Sequence, residues 1–494
     1  HAKMIYPIIV FLLLTVYFYL LGKKTGSGFK YILPAAFTLK MAVGILFTLL
    51  FSNLFGNTNL TADADVFMHD SKILHNVAFQ NFKDFIALLF TSNDHLVETY
   101  LGNTTHWDSS TGLFMNDSRF IIRFHALLYF LSLGHVTIHI MATNVISMFG
   151  ILFLTKSFGF LTRLPRILCF LLLLLAPNIL FWTSSIIKEP FIIFGIGLTM
   201  WALTVVHRRW LILALTCIGI SIVLQVKMYV GICFIATILL YTTLKFIPTK
   251  IVLSIGVLTL FAIPALLFTS LGKKPVEKIS RIQFDFNNIG KGGIHVRADT
   301  CIYVIQGEYI KHIQMIGDSV YLTQKVVGEY LPPNAVGTAQ NCEIEPNEKP
   351  WIYYDDGIRS NSYIETTLIL NDPAQLLKNI PEALSVSLLR PWPNDPPNHA
   401  FKWISILDNM WIYGLLLFSI IKRRKISFIE RNAIIAFLTF VLLLALIIGW
   451  TTPVMGAVIR YKVPIQLAIV AISAILLYPG QIPLLKLANR NNSK

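Results

Sequence analysis

Within the stretch Thr61–Asp70, three carboxylates and a histidine (Asp63, Asp65, Asp70 and His69) have the residue types for acid–base chemistry. A carboxylate held near a membrane surface can take the proton of an attacking hydroxyl. Its hard oxygens also suit a divalent cation such as Mg or Mn, although two acids, Asp63 and Asp65, leave that cofactor open. If the segment turns helical at Asp65, then Asp65 and His69 stand four apart on one face and Asp63 caps the turn. Helix capping with ordinary solvated charge is the competing explanation.

A second group lies in Pro177–Pro190, where Lys188 and Glu189 interrupt apolar sequence at a depth at which an isolated charge is costly. Such groups pair or line a cavity, while Phe181 and Trp182 read as interfacial anchors. Lys227, Arg390, Arg460 and Lys462 form a third group of basic residues at the ends of apolar runs. The planar guanidinium fork matches phosphate oxygens, so Arg390, Arg460 and Lys462 suit a lipid phosphate or diphosphate; snorkelling to headgroups is the alternative.

The elements that must position these residues follow from composition. Of 494 residues, 55% are hydrophobic and 14% charged, and 41 Lys+Arg against 26 Asp+Glu leave a net charge of +15. A soluble domain carries about a quarter charged residues, so the solvent here is a bilayer. The basic residues sit in short clusters between apolar runs and not on one soluble face, which argues against nucleic acid as a partner. No Walker motif, nucleophile elbow or dinucleotide fingerprint appears, and ATP-driven transport and hydrolase chemistry lose their support.

Segments 4–22, 31–55, 136–155, 167–184, 189–206, 251–270, 432–450 and 464–480 are apolar enough to span, with 210–225, 229–244 and 404–421 as weaker candidates. Basic clusters at 23–30, 156–166, 208–209, 245–250, 422–431 and 486–494 all fall on one side in a threading of about eleven spans. The N-terminus is then outside and the C-terminus cytoplasmic. That parity requires 119–134 to lie in the outer interface. The first segment lacks a small-residue cleavage site and reads as a retained helix.

Two polar regions, 57–118 and 271–402, fall outside, and the second is long enough for a small domain with strands at Cys301–Gln306 and Ser319–Leu322. The expected fold is an all-α polytopic membrane protein of about 11 transmembrane helices with a small α+β extracytoplasmic domain. Its parts are 1–56 (two helices), 57–134 (outer loop with interfacial helices), 135–270 (helices), 271–402 (outer domain) and 403–494 (C-terminal helices). Because the outer side is oxidising in a bacterial periplasm or on a cell exterior, a Cys301–Cys342 disulfide is expected. His106, His125, His135 and His139 show no ligand spacing.

Three features together resemble the polytopic membrane glycosyltransferases of the GT-C fold. They are the acidic first outer loop (Asp63, Asp65), the Phe181–Glu189 junction, and the late Arg460-Tyr461-Lys462 element, with a Leu389-Arg390-Pro391-Trp392 element beside them. The likeness covers the transmembrane body loosely and the outer domain hardly at all. Two spans precede the acidic loop where that class usually has one. The resemblance implies transfer of a sugar from a polyprenyl-phosphate-linked donor to a glycan, lipid or protein acceptor at the outer face of a bacterial inner membrane. Asp65, with Asp63 the close second, would be the general base; Arg390, Arg460, Lys462 and Lys188 would clamp the lipid phosphate, supported by His69 and Glu189.

Two other readings compete. A polysaccharide polymerase or ligase acting on polyprenyl-diphosphate oligosaccharide would use the Arg cluster without the Asp pair. A non-enzymatic membrane subunit of a transport or envelope-assembly complex would need neither.

Overall fold

The computed structural model describes residues 2–26, 28–55, 62–90, 94–104, 107, 118–162, 164–249, 251, 264, 266–298, 301–317, 319–331, 340–347, 349–357, 360–369, 371–396 and 400–477. The chain opens with two apolar helices, α1 (Ala2–Thr25) and α2 (Phe29–Phe55), then α3 (Ala62–Gln80), α4 (Phe82–Phe90) and α5 (Asp94–Tyr100). There follow α6 (Arg119–Ser132), α7 (Val136–Leu161), α8 (Arg166–Leu174), α9 (Pro177–Trp182), α10 (Glu189–Val205), α11 (Arg209–Val226) and α12 (Met228–Phe246). The C-terminal part contributes helices Ala400–Ile421, Phe428–Thr451, Met455–Tyr461 and Val463–Leu476.

Seven described helices are long and apolar enough to cross a membrane, or up to eight if the bent pair Met455–Tyr461 and Val463–Leu476 is one span. The chain is therefore a polytopic helical membrane protein. Three of the expected spans fall outside that set. The segment 167–184 is broken at Leu175–Ala176, because Pro177 has no N–H to donate and pushes the residue before it out of helical geometry. The segment 189–206 is the 17-residue α10. Most of 251–270 lies outside the described residues. At 14 residues α6 is too short to span, and it ends at Leu133, whose φ of 50° is left-handed.

The molecule divides into two compact units, the first comprising 1–242, 410–440 and 463–494, the second 243–409 and 441–462. In the first, α10 packs on α7 backbone to backbone. A Cβ on Gly197 would collide with the carbonyl of Gly150, and one on Gly150 would stand 2.7 Å from the amide nitrogen of Phe194. Without a hydrophobic drive between helices in lipid, close approach of this kind supplies dispersion energy. The helix Phe428–Thr451 starts with a capping box: Ser427 N donates to Glu430 Oε2 (2.7 Å) and Glu430 N to Ser427 Oγ (3.3 Å). Arg424 grips the same carboxylate at 2.6 and 3.0 Å.

In the second unit, helix Ser270–Lys291 leads into β1 (Gly293–Ala298), β2 (Cys301–Gln306), β3 (Ile313–Ile316), β4 (Ser319–Leu322), β5 (Val326–Leu331), β6 (Gln340–Ile344) and β7 (Trp351–Gly357). They form one antiparallel sheet in the order β3-β4-β7-β1-β2-β5-β6. Both expected strands are present as β2 and β4. Val296, Ile305, Val320, Leu322, Val326 and Ile344 make its core, and Trp351 stacks on Tyr303 at 5.0 Å. The chain returns to the helix through Tyr363, whose hydroxyl bonds Asn287 at 2.9 Å, and through Gln283, which bonds the backbone of Thr367 and Ile369.

The expected Cys301–Cys342 disulfide is overturned by this register. Cys342 is present as a thiol. Cys342 pairs with Gly328 on β5, and Gly328 pairs with Ile305 on β2, four residues from Cys301. The two cysteines are therefore two strand spacings apart, about 9–10 Å, and offset by about 13 Å along the strand. A disulfide needs Cα atoms within about 7 Å. Alkylation of the denatured chain without prior reduction, read by mass spectrometry, should label all five cysteines; label at three alone would restore the bridge.

Candidate functional site

Helix α3 begins at Ala62, so Asp63 and Asp65 lie in its first turn, where the helix dipole favours negative charge. Two positions on a helix are about 200° apart, and the two carboxylates leave opposite sides. One side carries Asp63, Ala64, Phe67, Asp70, Ser71 and Leu74, and from Ala64 onward these residues are buried. The other side carries Asp65 and His69, four apart on one face as the spacing predicts, with the His69 side chain 59% exposed. His69 Nδ1 lies 3.2 Å from Oδ1 of the buried Asp70. A cation shared by Asp63 and Asp65 does not fit this helix. Among the described residues no three His, Cys, Asp or Glu side chains gather as a metal site.

The buried side of α3 meets the junction before α10. From Thr183 to Lys188 the backbone is irregular and buried throughout. Lys188 Nζ stands 5.6 Å from the Phe67 ring centre and donates to Ser118 Oγ at 3.1 Å. By helical spacing Asp63 and Asp70 flank Phe67, one turn before and one turn after. The next residue, Glu189, pairs with Lys227 across 2.7 Å, both side chains almost wholly buried. The anion that Lys227 faces is thus a carboxylate of the protein.

The junction is held from below by residues that sequence reading passed over. Lys40, in the middle of α2 and fully buried, donates to Thr183 O (3.0 Å), Thr183 Oγ1 (2.8 Å) and Ser184 Oγ (3.0 Å). Asn144 Nδ2 reaches Ser184 O at 3.2 Å, and Asn178 Nδ2 donates to Gln466 Oε1 at 2.9 Å. Non-helical backbone at membrane depth survives only where the protein itself satisfies it. The available signal was Lys40 itself, an ionisable residue inside an apolar run.

Helix α6 locks α3 from the other direction. His75 Nδ1 bonds Ala126 O at 3.2 Å and its ring stacks on Tyr129, whose hydroxyl donates to Met68 O at 3.2 Å. His125 and His139, without ligand spacing in the sequence, meet Nδ1 to Nδ1 at 2.8 Å, and His139 Nε2 lies 2.8 Å from Ser132 Oγ. Desolvation holds His75 below the usual imidazole range and His125 well below it.

In the second unit, Arg390 and Lys462 come together, but around carbonyls. Lys462 Nζ donates to Leu388 O at 3.4 Å and, more closely, to Arg390 O. Asn409 Nδ2 reaches the carbonyls of Leu389 and Arg390 at 3.2 Å each. These groups close the helical segment that runs from Ile380 to Leu389, whose last carbonyls have no intrahelical partner. Arg390 Nη1 pairs with Asp395 at 3.4 Å, and Asp395 also accepts from Trp392 N at 2.6 Å. Arg460 sits half-buried in the last turn of Met455–Tyr461. Of the expected phosphate clamp, Lys462 is therefore engaged in capping, while Arg390 keeps part of its guanidinium exposed.

No family model, curated protein or solved structure matches this chain.

Removing one member of the Glu189–Lys227 pair leaves a buried charge uncompensated. Glu189→Gln or Lys227→Met should each cost about 3–5 kcal/mol. The double variant Glu189→Leu/Lys227→Met should cost less than either, which thermal unfolding in detergent would check. His125 stays neutral in the native state while the unfolded chain binds a proton near the ordinary imidazole value. Stability should therefore be complete above about pH 7 and fall as pH drops through 6.5. His125→Gln should flatten that slope.

Proposed function

We propose that the protein is an integral membrane glycosyltransferase that moves a sugar from a polyprenyl-phosphate-linked donor to an acceptor hydroxyl, with an Asp of α3 as general base. The observation that supports it is the pairing of the Asp63–Phe67–Asp70 side of α3 with the buried ammonium of Lys188. A base and a cation beside one another suit a displacement in which a hydroxyl loses its proton while negative charge grows on a departing phosphate.

In this reading Asp63, on the side of Lys188, takes the proton as the acceptor oxygen attacks the anomeric carbon. The bond from that carbon to the phosphate oxygen breaks, and Lys188 stabilises the charge left on the phosphate. Asp65, on the side of His69, orients the acceptor. Arg390 and Arg460 are the second unit's candidates for contact with lipid phosphate. The chain makes about eleven passages in a bacterial inner membrane, N-terminus outside and C-terminus cytoplasmic, with 167–184, 189–206 and 251–270 among them.

Transfer of labelled glycan in membranes carrying each variant tests the assignment. Asp63→Asn should lower the rate by about 10²–10⁴. Asp65→Asn should retain most of it. The order reversed would return the base to Asp65. Full activity in both, with loss only in Arg390→Ala and Arg460→Ala, would favour a polymerase or ligase. Activity indifferent to all four, together with a stoichiometric protein partner, would favour an assembly subunit.

A further inference from the structure

The first unit holds an apolar cavity of about 50 Å³, open on one side, between α7, α10, α12 and the helices Phe428–Thr451 and Val463–Leu476. Its walls are apolar. The two threonines that line it have spent their hydroxyls one turn back: Thr204 Oγ1 donates to Met200 O at 2.7 Å and Thr237 Oγ1 to Cys233 O at 2.8 Å. Water needs two or more polar partners to stay in such a space, and these walls offer few. The room is too small for a whole lipid tail, so what it takes is part of an apolar chain lying in its open side.

The cavity has a direction. Its inner end, at Ile196, Phe234 and Phe440, is buried, whereas Met200, Leu203, Thr204, Tyr241 and Phe437 are partly exposed. The exposed rim thus lies at the C-terminal end of α10. Thr204 is fifteen residues along α10 from Glu189, about 22 Å away from the α3 site. Just beyond the rim, the connection from α10 to α11 carries Arg208 and Arg209, both exposed and without a salt bridge among the described residues. Trp210 follows, 64% exposed, as an interfacial anchor would be. Arg431 lies two residues before the lining Ala433 at the same end.

A slot that is dry inside, aromatic at its mouth and basic beyond it matches one class of molecule, a lipid with a hydrocarbon tail and an anionic headgroup. We propose that this cavity binds part of an acyl chain of an anionic phospholipid whose phosphate is held by Arg208 and Arg209. The tail fills space that neither water nor a polar ligand can use, and the guanidinium forks take the phosphate oxygens. This site is independent of the glycosyltransferase reading.

The test uses the full chain in detergent, delipidated and titrated with phosphatidylglycerol or phosphatidylcholine under native mass spectrometry. Wild type should bind one phosphatidylglycerol at least tenfold more tightly than phosphatidylcholine. Ala436→Trp, which fills the cavity, should abolish that first binding event. Arg208→Glu/Arg209→Glu, a surface change that leaves the packed interior alone, should weaken it at least tenfold. Equal affinity for the two lipids, or phosphatidylglycerol binding unchanged in the double Arg variant, would overturn the proposal. So would a polyprenyl phosphate, and no phospholipid, displaced by Ala436→Trp.

Discussion

Irregular backbone from Thr183 to Lys188, buried among apolar helices, is the constraint around which the first unit is arranged. Carbonyls and hydroxyls exposed by a broken helix have no water to turn to at that depth. Lys40 and Asn144 reach the junction from α2 and α7 and satisfy it, so three segments distant in sequence are fixed to one another by hydrogen bonds. With the junction held, Lys188 is aimed at Phe67 and Glu189 at Lys227. The orientation of the candidate chemistry is a consequence of satisfying a buried break between helices.

Basic residues at the ends of apolar runs invite the inference of an anionic ligand, because a charge there needs a partner. In this molecule several find their anion or dipole inside the chain. Lys227 has Glu189, Lys462 has carbonyls near Leu388–Arg390, and part of Arg390 has Asp395. A cation at a helix C-terminus satisfies carbonyls and complements the dipole at once. Position at a span end therefore narrows the candidates for phosphate contact less than the local backbone geometry does. Arg208 and Arg209 stand differently, both exposed just beyond the end of α10.

The sheet and the helical body show different degrees of legibility. β2 and β4 were readable as strands because short runs of β-branched and aromatic residues suit a pleated, half-buried surface. The pairing order was not, since β7 enters between β4 and β1 by a connection that no local pattern encodes. The disulfide expectation failed for the same reason: two cysteines in one domain are related only through a register that spans three strands.

Sequence alone determined that this is a membrane protein of many apolar helices, because hydropathy over about 20 residues is a local property. The spacing also put Asp65 on one face with His69 once the segment is helical, because helical spacing is local too, but it set Asp63 at the cap, whereas the helix starts at Ala62 and takes Asp63 into its first turn. Only the tertiary structure decided which side of α3 meets Lys188, that Lys40 supports the junction, and that His125 meets His139. Those are contacts between segments far apart in the chain, and their energy comes from pairing buried polar groups that lipid cannot solvate.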